Sequence, residues 1–185
     1  MSQSEPKADA PEMEQTNEIV ETVFAAIQKG ATLKDLQGVS QDLMDGVYAF
    51  AYKFYRQGRL DDAETFFRFL CIYDFYNAEY AMGMGAVCQL KEDYARAIDL
   101  YALAYSLSKD DYRPMFHTGQ CQLMMGKAGL ARRCFEIVRD SSDVDYLKQM
   151  ALSYLDGLDQ AGARNAPSSE ADKAWPPLGK EKEAT

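Results

Sequence analysis

The sequence predicts an all-α fold, a right-handed superhelical stack of three helix-pair repeats with N-terminal helices before it and a C-terminal capping helix after it. Three columns of residues carry the prediction. Ala63, Ala97 and Ala131 follow one another at intervals of 34 residues, and an aromatic stands four positions after each: Phe67, Tyr101 and Phe135. Twelve positions before each alanine stands another small residue, Ala51, Gly85 or Gly119, where the first helix of a pair must let the second approach closely. Equal spacings in separate columns are improbable in a generic helical bundle.

Thirty-four residues is the tetratricopeptide period, and the phase of the columns places repeats at 44–77, 78–111 and 112–145. Gly58 and Gly126 fall where the paired helices turn, and Glu92, in the polar stretch Lys91-Glu92-Asp93, takes the same slot in the middle repeat. The tryptophan usual near the start of a repeat is replaced by Val47, Ala81 and Met115, and the usual terminal proline by Phe75, Lys109 and Asp143. The small and aromatic columns therefore carry the assignment.

Outside the repeats the elements follow in order. Residues 1–16 are polar and without apolar period, the composition of a disordered tail. Residues 17–43 hold the N-terminal helices: Ile19, Val20, Val23, Phe24 and Ile27 recur at helical spacing until Gly30 stops the helix, and Thr32 caps a second, short one with Leu33 and Leu36 on one side. After the third repeat Val144, Leu147, Met150, Ala151, Tyr154, Leu155 and Leu158 form the stripe of a helix over 146–162 that covers the open end of the stack. Residues 163–185 return to polar composition; Trp175 with Pro176-Pro177 reads either as solvated tail or as a docking motif.

Stacked helix pairs curve, and the non-core positions of each first helix line the concave side. These are Tyr48, Tyr52 and Tyr55, then Met82, Ala86 and Gln89, then Phe116, Gln120 and Leu123, a set that is aromatic and apolar with few charges. The three tyrosines share one helical face, and each phenol needs a hydrogen-bond partner that a core does not readily supply. Their apolar bodies suit the burial of ligand side chains, and their hydroxyls, with Gln89 and Gln120, suit bonding to an extended peptide backbone. Missing side-chain volume at Gly83 and Ala86 suggests small pockets. The alternative is that some of these residues pack against the N-terminal helices.

Composition narrows the function. An apolar share of 47% fits a folded domain, and a net charge of −9 with a pI near 4.7 argues against nucleic-acid or anionic-membrane partners. The N-terminus lacks a signal peptide's pattern, and the longest uncharged stretch, near Tyr80 to Leu90, is too short to span a bilayer, so a cytoplasmic protein is expected. Cys71, Cys88, Cys121 and Cys134 lie in apolar helical patterns with no C-x-x-C pair, which predicts buried free thiols and neither disulfides nor a metal site. His117 precedes Cys121 by four residues, but nothing in sequence supplies an oxyanion hole or a third orienting group. There is no phosphate-binding loop, and Met82-Gly83-Met84-Gly85 falls inside a helix by the repeat phase. No catalysis and no cofactor is expected.

Three segments together resemble a known family: Gly30-Ala31-Thr32-Leu33-Lys34-Asp35-Leu36, Tyr48-Ala49-Phe50-Ala51-Tyr52-Lys53-Phe54-Tyr55 and Leu70-Cys71-Ile72-Tyr73-Asp74-Phe75-Tyr76-Asn77. With Tyr80-Ala81-Met82-Gly83-Met84-Gly85-Ala86 they make the chain, from about Glu18 to Leu158, similar to the class II chaperones of bacterial type III secretion. The resemblance implies a non-catalytic cytoplasmic chaperone that keeps hydrophobic translocator proteins soluble, apart from one another and competent for secretion. It implies that an extended proline- and leucine-containing segment lies in the groove, with Tyr48, Tyr52 and Tyr55 among its aromatics and the Ala81 to Gln89 helix as the middle of the floor. Homodimers form through the N-terminal region in such proteins, which makes Val20, Val23, Phe24 and Ile27 interface candidates, the alternative being that this stripe packs on its own chain. The resemblance also admits a transcriptional regulator as partner, on which no residue here bears. Two tetratricopeptide adaptors are the rivals: a generic one, and one gripping a terminal carboxylate, which would need a cationic clamp where this groove carries Tyr, Met, Ala, Phe and Gln.

Overall fold

The computed structural model describes residues 20–26, 28–108 and 110–162, and every regular element among them is helical. A helical stretch over 20–26 ends near Gly30, whose φ of +87° lies in the left-handed region open to glycine. The short helix α1, Leu33–Leu36, starts in a capping box: the Asp35 amide donates to Thr32 Oγ1 at 3.4 Å and the Thr32 amide donates to the Asp35 carboxylate at 2.9 Å. Seven longer helices follow: α2 Gln41–Arg56, α3 Leu60–Tyr73, α4 Ala78–Leu90, α5 Tyr94–Leu107, α6 Arg113–Met124, α7 Ala128–Ser141 and α8 Asp145–Gly162. Ser40, Asn77 and Asp93 accept from amides of the first turns of α2, α4 and α5, and Pro114 opens α6, where no amide is missed. From α2 onward each helix packs on the next in sequence, while the short α1 touches α3.

The turns inside the pairs repeat one backbone device. Gly58 and Gly126 take φ values of 72° and 75°, and Glu92 takes 62° in the same slot, the one non-glycine residue with positive φ among those described. A Cβ in that conformation crowds the following carbonyl, so the middle turn is strained where the others are relaxed.

Packing explains the columns seen in sequence. Ala63, Ala97 and Ala131 are fully buried, as are Tyr101 and Phe135, and Phe67 is 1% exposed. A Cβ built on Gly85 would lie 2.7 Å from the Tyr101 ring, and one on Gly119 would lie 2.7 Å from the Phe135 ring. The small residue of each of these pairs is small because the aromatic of its own repeat lies on it. Phe67 instead reaches forward: its ring sits 2.1 Å from where a Gly83 Cβ would be, tying the first pair to the second. At the surface Glu64 of α3 accepts from Lys91 Nζ at 2.6 Å and from Arg96 at 2.9 Å, joining the same two pairs.

The closing helix α8 buries Leu147, Ala151 and Leu155, with Met150, Tyr154 and Leu158 packed partly against the same core. Val144, expected in that stripe, precedes the helix and is 57% exposed, so it takes no part in the cap. Val20, Val23 and Phe24 are all exposed, Phe24 at 61%. Ile19, Ile27, Lys109 and both tails lie outside the described residues. No helix among the described residues is long and apolar enough to cross a membrane.

Candidate peptide-binding groove

The first helices α2, α4 and α6 enclose a cavity of about 240 Å³, lined by Tyr48, Tyr52 and Tyr55 from α2, Glu79, Met82, Gly83 and Ala86 from α4, Arg113 and His117 from α6, and Phe67 from behind. Tyr52 is the most open of the three tyrosines, at 49% exposure, and its ring stacks on Tyr55 with centroids 6.1 Å apart. Tyr48 sits deeper, edge-on to Phe67 at 6.0 Å and tilted against Tyr80 at 5.8 Å. Burial raises the phenols of Tyr48 and Tyr55 above their ordinary value, so both hold their protons as donors. The floor is low at Gly83 and Ala86: Gly83 has no side chain because the Phe67 ring occupies that space from the other side.

The charged residues of the wall are already paired. Arg113 bridges Asp111, at 2.7 Å, and Glu79 of the preceding repeat. Its neighbour His117 stacks on Tyr101 with centroids 5.4 Å apart, and its Nδ1 lies 2.9 Å from Gln120 Oε1. Burial lowers the His117 imidazole below its ordinary 6.5, which keeps the groove wall neutral there.

The structure brings Tyr48, Tyr52, Tyr55, Met82 and Ala86 into one cavity and places the other sequence-derived candidates elsewhere. Phe116 is 2% exposed and belongs to the core, where Phe135 and Tyr154 pack on it at 5.5 and 5.4 Å; α8 covers the position that the repeat pattern leaves open. Gln89 and Gln120 are joined in a ladder that engages one N–H of each side-chain amide and leaves the other free. The Tyr101 hydroxyl donates to Gln89 Oε1 at 2.7 Å, Gln89 Nε2 donates to Gln120 Oε1 at 3.3 Å, and Gln120 Nε2 donates to the Tyr154 hydroxyl at 2.8 Å. Leu123 lines a second cavity, of about 370 Å³, with Ser153, Tyr154, Gly157 and Leu158.

Glu79, Arg113 and His117 in the groove wall and Tyr154 in the ladder were not among the groove residues expected from sequence, yet the repeat itself carries a signal for three of them. Glu79 and Arg113 are opposite charges 34 residues apart, and Tyr154 stands 34 after Gln120. The capping helix thus continues the repeat register and acts as the first helix of a further, unfinished pair.

His117 pairs with Gln120 and Tyr101 as described, and burial pushes the Cys71, Cys121 and Cys134 thiols up to about 11, leaving them protonated near neutrality. Among the described residues no group of His, Cys, Asp and Glu could hold a metal ion.

Comparison with known proteins places this geometry. The tetratricopeptide repeat family model matches residues 44–77 and 78–111. Chaperone protein SicA of Salmonella typhimurium is 55% identical over 154 residues, covering 83% of this chain and 93% of SicA. A T3SS complex from Aeromonas hydrophila superposes with a TM-score of 0.71 at 26% identity, over 78% of this chain and 99% of that one. PcrH, a Pseudomonas aeruginosa protein, in complex with the chaperone-binding region of PopB, superposes with a TM-score of 0.61 at 30% identity, over 64% of this chain and 98% of that one.

Proposed function

The chain belongs to the tetratricopeptide-repeat translocator chaperones of type III secretion, and we propose that it holds an extended apolar segment of its translocators in the cavity between α2, α4 and α6. The observation that carries this reading is the stacked tyrosine wall facing the low floor at Gly83 and Ala86. Such a site takes apolar side chains one at a time along an extended strand, with phenol hydroxyls to meet the backbone. The PcrH complex supports it, because a relative of this fold there holds the chaperone-binding region of PopB.

A translocator bound for a membrane carries apolar surface that aggregates or inserts wrongly before export, and covering part of it keeps the subunits soluble and apart. The chaperone's own charge of −9 keeps the complex dispersed in the bacterial cytoplasm. Holding forms and breaks no covalent bond, so the role is not enzymatic. The exposed Val20, Val23 and Phe24 supply a face for a homodimer, a reading to which the dimer of the Yersinia enterocolitica chaperone SycD lends support.

Titration calorimetry with a synthetic translocator chaperone-binding peptide tests the groove. Tyr52→Ala and Met82→Glu each keep the parent's helical circular dichroism and bind the peptide at least about tenfold more weakly, the effect of removing a contact worth ~1.4 kcal/mol. Unchanged affinity in both variants would put the ligand elsewhere.

A further inference from the structure

The second cavity, of about 370 Å³, is lined by Leu123 of α6 and by Ser153, Tyr154, Gly157 and Leu158 of α8, and its lining is mostly apolar. Gly157 leaves it open: a Cβ there would meet nothing within 4 Å. The cavity lies over the last turns of α8, which ends at Gly162, only four residues beyond Leu158. Twenty-three residues follow Gly162, and their one cluster of large apolar side chains is Trp175-Pro176-Pro177-Leu178. Four basic and four acidic residues balance in that stretch, so the acidic body does not repel it.

We propose that Trp175-Pro176-Pro177-Leu178 of this chain docks in the cavity between α6 and α8. Twelve residues separate Gly162 from Trp175, and a chain of that length reaches ~20 Å, enough to turn back over the final turns of α8. Adjacent prolines hold an extended backbone in advance, which lowers the ordering cost of docking. The indole brings a large apolar area with one N–H, and two lining hydroxyls keep a lone pair to accept it: Tyr154, which already accepts from Gln120, and Ser153, which donates to the Gln149 carbonyl. Tethering raises the local concentration of the segment to the order of 1 mM, so a dissociation constant of about 0.1 mM gives roughly tenfold more docked than free tail.

Trp175 is the only tryptophan in the chain, so its fluorescence reads the docking directly in the full-length protein. The expected result is emission shifted to the blue, and acrylamide quenching weaker, than in a free peptide of residues 163–185, at every protein concentration. Gly157→Gln, which fills the cavity from an open helical position, restores the peptide's values while the helical signal stays intact; Ser153→Glu at the rim does the same. Emission and quenching equal to the free peptide overturn the proposal. So does protection that grows with protein concentration, which would mark the tail of a second copy, and so does protection that survives both substitutions. No translocator is present in the experiment, so its failure is separate from that of the groove reading.

Discussion

Gly83→Ala tests the joint between packing and groove. The added Cβ would stand 2.1 Å from Phe67 Cε1 and 2.5 Å from Cζ, against an ordinary carbon–carbon contact of ~3.5–4.0 Å. The ring has little room to yield, because Phe67 is 1% exposed and Tyr48 packs against it edge-on. Overpacking of a core costs about 1–3 kcal/mol, and this approach sits at the upper end. Alanine recovers ~1 kcal/mol of helix propensity over glycine, leaving a net loss of about 2 kcal/mol. In urea, with a slope near ~2 kcal/mol/M, the unfolding midpoint drops by about 1 M. Gly157→Ala is the matched control: it adds the same atom to a helical glycine with open space around it, and the midpoint rises by the propensity gain alone, up to ~1 kcal/mol. Circular dichroism at 222 nm follows both transitions. A Gly83→Ala midpoint at or above the parent's would refute the claim that Phe67 needs this glycine to join the first two helix pairs.

Further outcomes follow from other positions. Glu92→Gly relaxes the positive φ of the middle turn and, net of the glycine's greater unfolded-state freedom, stabilises by ~0.5–1 kcal/mol, or about 2–4 °C per kcal/mol in a thermal scan; an unchanged or lower midpoint contradicts the strain. His117 is the chain's single histidine, and burial holds its folded pKa below 6.5, so its NMR titration lies below that value in the native state and returns toward it in urea. By linkage, the stability associated with His117 is complete above about pH 6.5 and falls as the pH drops through the folded value; a native titration at or above 6.5 would show the imidazole to be solvated. Gln120→Leu breaks the ladder between Gln89 and Tyr154 and strands partly buried partners, costing about 1–3 kcal/mol in urea unfolding, and a loss below ~0.5 kcal/mol would mean that water replaces it freely.

The parts of the fold that sequence made legible are those fixed by local periodicity. Ala97 and Tyr101 are seen four apart because one turn of helix puts them on one face, and the interval to Ala131 and Phe135 repeats because each pair must present the same surface to the next. The cap at Thr32 was readable for the same reason, since its partners lie within three residues. The groove was readable only in part. Tyr52 faces the cavity as its position on α2 requires, but Phe116 holds the corresponding repeat register to Tyr48 and Met82 and is nonetheless buried, because α8 lays Tyr154 across it. The glutamine ladder depends on partners 12, 31 and 34 residues away, and no helical wheel of one segment contains them. The pairing of Glu79 with Arg113 was accessible in principle, because the period that aligns the alanines aligns these charges too.

The central claim, that the tyrosine-lined cavity holds translocators, is tested most directly by co-expressing the full chain with the translocators encoded beside it and capturing the chaperone from the soluble fraction. The account predicts translocators that are soluble and co-captured with the parent chain, and that are lost to the pellet with Tyr48→Ala/Tyr52→Ala, which itself stays soluble and helical. Translocators captured equally by the double variant, or insoluble beside a well-folded parent chain, would contradict it.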